Sequence, residues 1–383
     1  MPGRQATATT LVSTVGTSLF FPNLSSLARN EPSSALGRAF VARDRDSMVR
    51  ELAKLDAEDR TCGAEINSIA SLWRQGVVAR DADLFFCHSA TEDGRLIAHV
   101  LEGYFVRIGV PRVEAREIPG LQDEDPRIFR RQGLRLLARE MCSMLRQCGL
   151  TRCAINATGG YKAQVAIGVQ VGQGLGVPVY YKHERFDDII SFPPMPVSLD
   201  PCMWLERSPM FFELSRSAEP VPGAAYLAEW DERLDALVQR FAVGGKEFLG
   251  LTATGQIFHD TFRERFRQGH SGPLPKVVPM AEKLPPQVVR SGRRGDRLDV
   301  EAFLWRVTRE VPWVRRCITL DEESDVGGWT SFRLGSSRIE GVLRTGGSAV
   351  EFEVTTSATS REEMLAVVAK LNEWLDSTPR QPA

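Results

Sequence analysis

The sequence predicts an α/β protein whose N-terminal half folds as a doubly wound, largely parallel sheet. From Thr10 to about Phe192, short apolar runs alternate with amphipathic stretches, which is the pattern of buried strands covered by helices. Polar and glycine-rich strings follow several of these runs, at the strand ends where such sheets bind ligands. After the proline-rich run 192–196 the composition changes, so we expect differently built units there.

Five strands are expected in the N-terminal half, with helices between them that have apolar residues at spacings of three and four. The strands are Thr10–Val15, Asp83–His88, Val113–Ile118, Arg152–Asn156 and Val177–His183. The helices are Met48–Arg74, Gly94–Ile108, Pro126–Cys148 and Tyr161–Leu175.

After the N-terminal half, the sequence predicts a helix over Ala224–Phe241, a hairpin over Gly244–Leu251 and a helix over Gln256–Arg267. Helix, hairpin and helix in this order suggest a small winged-helix-like connector. The alternative is a helical linker with no nucleic-acid role.

A proline- and arginine-rich stretch, 269–295, predicts an extended connection to a last unit. That unit is expected to be α+β: a helix, a three-stranded antiparallel meander with Gly346 and Gly347 in its last turn, and a closing helix. The expected helices are Val300–Val311 and Ser360–Leu375, and the strands are Ser331–Leu334, Ile339–Leu343 and Ala349–Thr355. The predicted domains are therefore 1–215, a connector 216–270, a linker 271–297 and a C-terminal domain 298–383.

Composition excludes several classes of protein. A net charge of -1 excludes attraction of the whole molecule to nucleic acid, so any RNA contact must come from a local patch. The seven cysteines are scattered without CxxC pairs, which indicates buried thiols in a reducing compartment. Neither a signal peptide nor a membrane span is expected, and the predicted location is the cytoplasm.

The string Asn156–Lys162 (NATGGYK) carries the strongest signal for a ligand site, because it stands where a strand ends and a helix begins. Paired glycines let the backbone approach a ligand, and the free amides of a helix start attract phosphate. Asn156 and Thr158 add hydrogen bonds, and Lys162 adds a charge for a phosphodiester. The spacing matches neither GxxxxGK[ST] nor GxGxxG, so a nucleoside triphosphate or dinucleotide fold is poorly supported.

Two further polar loops follow the first two strands, Gly16–Ser18 and Ser89–Thr91. Because the carboxyl ends of parallel strands meet at one edge of the sheet, these loops should converge with Asn156–Lys162 on a single crevice. The candidate ligand-binding residues are Gly16, Thr17, Ser18, Ser89, Thr91, Asn156, Thr158, Gly159, Gly160, Tyr161 and Lys162.

With these residues in view, the segments Ser13–Leu19, Phe86–Gly94 and Asn156–Gln164, with 179–196 downstream, resemble CARF domains of type III CRISPR ancillary proteins. The resemblance implies a Rossmann-like homodimer that binds a cyclic oligoadenylate, most simply cyclic tetra-adenylate, across its two-fold axis. It implies no other cofactor. Some members also cleave their ligand, and Lys162, Thr158 and Ser18 are the residues placed to do so here, although nothing in the sequence requires this.

CARF proteins commonly carry an effector, and two effector classes fit this chain poorly. A HEPN ribonuclease would use an RxxxxH motif, which Arg265 and His270 match in spacing, but the rest of the chain is too rich in strands. A PD-(D/E)xK nuclease needs a lysine beside its carboxylates to hold a metal, and Glu351 and Glu353 lack it.

The element order of the C-terminal domain is similar to that of RelE-type messenger RNA interferases. The resemblance implies metal-independent cleavage of messenger RNA on the ribosome, in which arginines stabilise the phosphorane formed by 2'-hydroxyl attack. The ribosome would hold the substrate in line. No tyrosine occurs in 298–383, so a stacking or acid role would fall to Trp329, Phe332 or no residue. The candidate catalytic residues are Arg333, Arg338, Arg344 and Arg361.

Two hypotheses follow. The first is an antiviral ribonuclease, activated by cyclic oligoadenylate and acting on translated messenger RNA. The second is a regulator without enzymatic activity, in which the connector binds DNA and the tail is a docking module.

Overall fold

The computed structural model describes residues 7–183, 188–194, 201–217, 219–227, 230–267, 274–288, 294–320, 330–345 and 348–377. The chain forms two compact units. The first comprises residues 1–198 with 252–261, and the second comprises 199–251 with 262–383. The predicted boundary at 215 therefore falls inside the second unit.

Among the described residues up to 194, six strands and eight α-helices of the first unit are numbered along the chain. The strands are β1 (Ala8–Thr14), β2 (Val78–Ser89), β3 (Val113–Ile118), β4 (Cys153–Asn156), β5 (Val179–Lys182) and β6 (Ile189–Phe192). The helices are α1 (Ser25–Asn30), α2 (Ala35–Val41), α3 (Arg45–Leu52), α4 (Gly63–Arg74), α5 (Glu92–Arg107), α6 (Pro126–Ile128), α7 (Leu134–Cys148) and α8 (Lys162–Leu175).

These strands form one sheet in the order β3-β2-β1-β4-β5-β6. β1 pairs in parallel with both β2 and β4, and only β6 runs antiparallel to its neighbour. The predicted largely parallel sheet is confirmed, with all five expected strands in it. The chain reverses its direction of winding beside β1, so the carboxyl ends of β1, β2 and β4 lie next to one another.

Both faces of the sheet are buried. Leu11 and Val12 point to opposite faces of β1 and belong to different hydrophobic clusters. The cluster around Leu11 includes buried residues of α4 and α5, and the cluster around Val12 includes residues of α7 and α8. This two-sided cover explains the unbroken apolar run Leu84–Cys87 in β2, whereas the edge strand β3 keeps charged residues such as Glu114 and Arg116.

The single helix expected over Met48–Arg74 is wrong, because α3 ends at Leu52 and α4 begins at Gly63. The Asp59 carboxylate accepts a hydrogen bond from the Thr61 amide at 2.8 Å and caps a short helical turn between the two helices. Gly63 has a φ of +82°, which a continuous helix does not allow. The apolar spacing continues across this break, so periodicity alone does not reveal it.

The second unit contains the remaining elements, and one helix, over Ala253–Arg267, is divided between the two units after Thr261. Its helices are α9 (Pro201–Arg216), α10 (Ala224–Leu227), α11 (Ala253–Arg267), α12 (Arg294–Glu310) and α13 (Arg361–Ser377). Its strands are β7 (Val221–Pro222), β8 (Val238–Val243), β9 (Lys246–Leu251), β10 (Val314–Thr319), β11 (Ser331–Leu334), β12 (Ile339–Thr345) and β13 (Ser348–Thr356).

The connector segment differs from its prediction. The helix expected over Ala224–Phe241 is wrong: α10 ends at Leu227, and β8 then pairs antiparallel with β9 in a three-stranded sheet of order β7-β9-β8. The Asp231 carboxylate caps a short turn between them by accepting from the Arg233 amide at 2.9 Å. The hairpin predicted over Gly244–Leu251 is found only in part, because this segment is the turn and β9, and the partner strand β8 lies in the segment expected to be helical. The helix after it is present, whereas α9 was not expected.

The C-terminal sheet has four strands in the order β10-β13-β12-β11, all antiparallel. The three predicted strands are found, and the unpredicted β10 pairs with β13. Helices α12 and α13 supply Leu304 and Leu371 to a core that includes Phe332 and Phe352. Gly346, Gly347, Trp329 and His270, considered above, lie outside the described residues.

Among the described helices, none combines the length with the apolar character that a membrane span needs.

Candidate functional site

The three predicted loops meet at the carboxyl ends of β1, β2 and β4 and enclose a cleft of about 250 Å³. Each loop contributes, as do Phe21 after β1 and the first turns of α4 and α5. The lining residues are Val15, Gly16, Thr17, Ser18, Phe21, Ala64, Ser89, Gly94, Thr158, Gly159, Gly160 and Tyr161.

Glycines allow the loops after β1 and β4 to pack backbone against backbone. A Cβ atom on Gly16 would lie 2.4 Å from the Gly160 amide nitrogen, and Gly160 itself has a φ of +103°. The Thr14 hydroxyl donates a hydrogen bond to the Gly159 carbonyl at 2.5 Å. These glycines are therefore required by the close approach of two loops as well as by any ligand.

A buried carboxylate, Glu65 of α4, supports the cleft from below. Its Oε1 accepts a hydrogen bond from the Gly16 amide at 2.7 Å, and a Cβ on Gly159 would lie 1.9 Å from the same atom. The side chain is fully buried, and its Oε2 has no hydrogen-bond partner among the described residues. Burial raises the pKa of Glu65 to about 7.

Sequence reasoning did not identify Glu65. The available signal is its position four residues before Ile69 in α4, on the face that turns inward. An acidic residue at such a position is unusual, because burying a carboxylate is costly without a partner.

Gln164 has the same role at the second loop. Its Oε1 accepts a hydrogen bond from the Tyr161 amide at 2.5 Å, and its side chain is fully buried. Two of the amides expected to face a ligand, those of Gly16 and Tyr161, are thus already bound by side chains of the protein. Gly159 and Gly160 also line the cleft, and the described residues provide no acceptor for their amides.

Three of the candidate residues do not line the cleft, and two of them, Asn156 and Thr91, hold it in place. Asn156 is fully buried, donates to the Ser68 hydroxyl at 2.8 Å and accepts from the Thr158 hydroxyl at 2.6 Å, so it orients Thr158. Thr91 caps α5 by accepting from the Gly94 amide at 3.0 Å and pairs with the Ser89 hydroxyl at 2.8 Å. Lys162 opens α8 as an exposed residue and is not among the lining residues.

The four candidate catalytic arginines of the second unit do not form one cluster. Arg333 and Arg338 each donate to Glu340 at 3.1 Å. Burial acts to raise the pKa of Glu340, but hydrogen bonds from Arg338 and Arg333 hold it below its usual value. Arg344 is half-buried, and its backbone amide donates to the Thr330 hydroxyl at 3.1 Å.

Arg333 and Arg361 line a second cavity, of about 380 Å³, which Arg338 and Arg344 do not line. Residues of α9 and α10 complete this cavity, including Tyr226, which is not among the predicted site residues. The lining residues are Glu206, Arg207, Pro209, Met210, Tyr226, Arg333, Leu334, Arg361 and Leu365. Within the described part of the chain, no three histidine, cysteine, aspartate or glutamate side chains are grouped as metal ligands would be.

Comparison with known proteins gives one family match. Residues 60–195, about a third of the chain, match the model of a family described as CRISPR-associated protein (Cas_APE2256). The match spans α4 to β6 and includes Glu65 and the loops after β2 and β4. It supports a CRISPR-associated assignment for the first unit. No curated protein matches the chain.

Two solved structures are similar at low sequence identity. Can2 from Sulfobacillus thermosulfidooxidans, solved in complex with cyclic tetra-adenylate, is 10% identical, with a TM-score of 0.24 over 71% of this chain and 69% of that one. Protein VC1899 from Vibrio cholerae is 8% identical, with a TM-score of 0.27 over 91% and 77%. At these TM-scores neither likeness bears on the fold or the function of this chain.

Proposed function

We infer that the first unit is a CARF-type sensor that binds a cyclic oligoadenylate in the cleft, and that the second unit is a RelE-like ribonuclease controlled by this ligand in type III CRISPR defence. One observation carries the proposal: three strand-end loops converge on a glycine-lined cleft at the winding switch beside β1. Two of these loops lie in the segment that matches the CRISPR-associated family.

The lining of the cleft suits phosphodiesters and ribose better than a metal or a reactive carbonyl. Its lining offers backbone amides and the hydroxyls of Thr17 and Ser18, whereas the Thr158 hydroxyl donates to Asn156 and the Ser89 hydroxyl pairs with Thr91. Such donors bind phosphate oxygens at close range, and the start of α8 adds a favourable dipole. Lys162, exposed at this helix start, would supply a cation at the rim.

The size of the cleft favours a ligand shared between two copies of the chain. About 250 Å³ is below the 300–1,000 Å³ of sites that enclose a drug-sized molecule. One chain would therefore hold part of a ring, and a second copy related by a two-fold axis would hold the rest. Cyclic tetra-adenylate has the rotational symmetry that such an arrangement needs.

For the second unit, we propose that Arg333, Arg338, Arg344 and Arg361 contact messenger RNA on the ribosome. Guanidinium groups can stabilise the charge that develops when a 2'-hydroxyl attacks the adjacent phosphate. Glu340, which joins Arg333 to Arg338, would keep their spacing fixed. The ligand can activate this unit only through a difference in its affinity for the resting and active arrangements.

Calorimetry with cyclic tri-, tetra- and hexa-adenylate tests the sensor. We expect one ring size to bind, and Lys162→Ala to weaken it about tenfold through loss of a charged contact. Lys54→Ala is the matched control, because Lys54 is an exposed lysine that pairs with Glu51 on α3, away from the lining. Equal binding by Lys162→Ala and the parent protein would remove this lysine from the site.

Toeprinting on translating ribosomes tests the effector. Cuts in messenger RNA should appear only when cyclic oligoadenylate is bound, and they should be lost in Arg333→Ala and Arg338→Ala. If the messages stay intact while ligand-dependent DNA shifts appear, the chain is a regulator without ribonuclease activity.

A further inference from the structure

The cavity of about 380 Å³ in the second unit is built by four elements, and two of them lie outside the segment 298–383 assigned to the effector. β11 contributes Arg333, and α13 contributes Arg361. α9 contributes Arg207, and α10 contributes Tyr226. The chain thus brings together side chains more than 100 residues apart in sequence.

The charge of the lining favours an anion. The lining contains three arginines and one glutamate, Glu206, and the Glu351 carboxylate lies 3.9 Å from the Arg333 guanidinium. Arginine presents a planar fork of donors that matches the oxygens of a phosphate diester. Arg333 is held by Glu340 at 3.1 Å, so one of the three is already oriented before a ligand arrives.

Tyr226 adds a group that can recognise a hydroxyl. Its phenol donates a hydrogen bond to the carboxylate of Glu213, a buried residue of α9. Burial raises the pKa values of both Tyr226 and Glu213, so the phenol keeps its proton at neutral pH. With that proton committed to Glu213, the phenol oxygen can accept a hydrogen bond from a ligand hydroxyl.

We propose that this cavity binds one nucleotide of single-stranded RNA. Arg207, Arg333 and Arg361 hold its phosphate, and Tyr226 accepts a hydrogen bond from its 2'-hydroxyl. The proposal rests on the ribonuclease function proposed above and deepens it, because it assigns positions for substrate to Arg207 and Tyr226. A 2'-hydroxyl contact is the feature by which a protein distinguishes RNA from DNA.

The test uses the full chain and a fluorescein-labelled single-stranded RNA of eight nucleotides, with DNA of the same sequence beside it. Fluorescence anisotropy at several salt concentrations gives affinity and salt dependence. Arg207→Gln and Arg361→Gln should each lower RNA affinity about tenfold and reduce the salt dependence by about one phosphate contact. Arg315→Gln is the matched control, since Arg315 is an exposed arginine of the same unit that pairs with Glu282.

Tyr226→Phe should lower the affinity for RNA several-fold and leave the affinity for DNA unchanged. A purely structural role of Tyr226 would change both affinities together. Because this variant leaves buried Glu213 without its donor, thermal melting is measured with it, and the double variant Tyr226→Phe, Glu213→Gln removes the unpaired charge. In that double variant the loss of RNA preference should persist.

The proposal is overturned if Arg207→Gln and Arg361→Gln bind RNA as the parent does, or if Tyr226→Phe keeps the RNA preference. If Arg338→Ala abolishes binding while Arg207→Gln and Arg361→Gln do not, RNA binds at the surface around Arg338 and not in the cavity. Binding as expected without any cleavage on ribosomes would support the cavity and contradict the ribonuclease proposal. Cleavage on ribosomes that persists in Arg207→Gln and Arg361→Gln would support the ribonuclease proposal and contradict the cavity as the RNA site.

Discussion

The backbone amide of Gly16 donates a hydrogen bond to the carboxylate of Glu65 at 2.7 Å, and this contact joins the loop after β1 to the start of α4. The carboxylate is fully buried, and its second oxygen has no partner among the described residues. The loop that should touch a polyanionic ligand is therefore supported by a group whose charge depends on pH.

The stability of the first unit should fall as pH rises from 5 to 8. Burial raises the pKa of Glu65 to about 7 from its ordinary value of 4.5, so the folded state binds this proton more tightly than the unfolded state does. The resulting stability is fully present below pH 4.5 and is lost as pH rises through about 7. The free energy of unfolding should fall by at most about 3 kcal/mol over this range.

Hydrogen exchange at the amides of β1 and α4 measures this stability directly, which matters because a chain of two units need not unfold in one step. Glu65→Gln keeps an acceptor for the Gly16 amide and removes the charge, so its profile should be flat between pH 5 and 8. A profile in Glu65→Gln that matches the parent's would assign the pH dependence to other groups.

Ligand affinity should also weaken as pH rises through about 7. An ionised Glu65 beneath the cleft repels phosphodiesters, so binding should be accompanied by uptake of a proton. Calorimetry of cyclic tetra-adenylate in buffers of different ionisation enthalpy measures this uptake. It should disappear in Glu65→Gln, and equal proton uptake by that variant would contradict the expectation.

Gly160→Ala should abolish ligand binding. A Cβ there would lie 2.0 Å from Gln164 Oε1, and the φ of +103° is unfavourable for any residue with a side chain. We expect a loss of binding of at least tenfold and a destabilisation of about 1–3 kcal/mol.

The matched control is Gly176→Ala. Gly176 also has a positive φ, +72°, but nothing lies within 4 Å of its Cβ position. The Gly176→Ala variant should lose about 1 kcal/mol of unfolding free energy and bind the ligand as the parent protein does. Similar binding by the two variants would show that the close packing under Gly160 is not what shapes the cleft.

Lys283→Met should destabilise the second unit by about 2–3 kcal/mol. The Lys283 ammonium donates to the carbonyls of Thr308, Val311 and Val314 at 2.5, 2.7 and 3.0 Å, and it thereby closes the C-terminal end of α12. Carbonyls at a helix end are favourable partners for a cation.

Hydrogen exchange at the last turn of α12 and at β10 checks this expectation. Lys276→Met is the control, because Lys276 is exposed in the same segment. The role assigned to Lys283 is refuted if protection in these elements is the same in both variants.

The sequence by itself determined the sheet of the first unit and the three loops of its cleft. Alternation of apolar runs with amphipathic helices is a local property, and right-handed parallel winding then places the ends of β1, β2 and β4 together. The same local reasoning found β11, β12, β13 and the helices around them. It failed over Ala224–Phe241, where a capped turn and a hairpin strand follow a single turn of helix.

Only the tertiary structure decided which polar residues face a ligand. Glu65 and Gln164 are buried under the cleft and accept hydrogen bonds from the amides of Gly16 and Tyr161. Asn156 accepts a hydrogen bond from the Thr158 hydroxyl and so fixes its orientation. Likewise, Arg333 shares its cavity with Tyr226, although the two lie on elements far apart in the chain. Burial and contact between distant segments depend on how helices pack on sheets, and periodicity along the sequence carries no record of that packing.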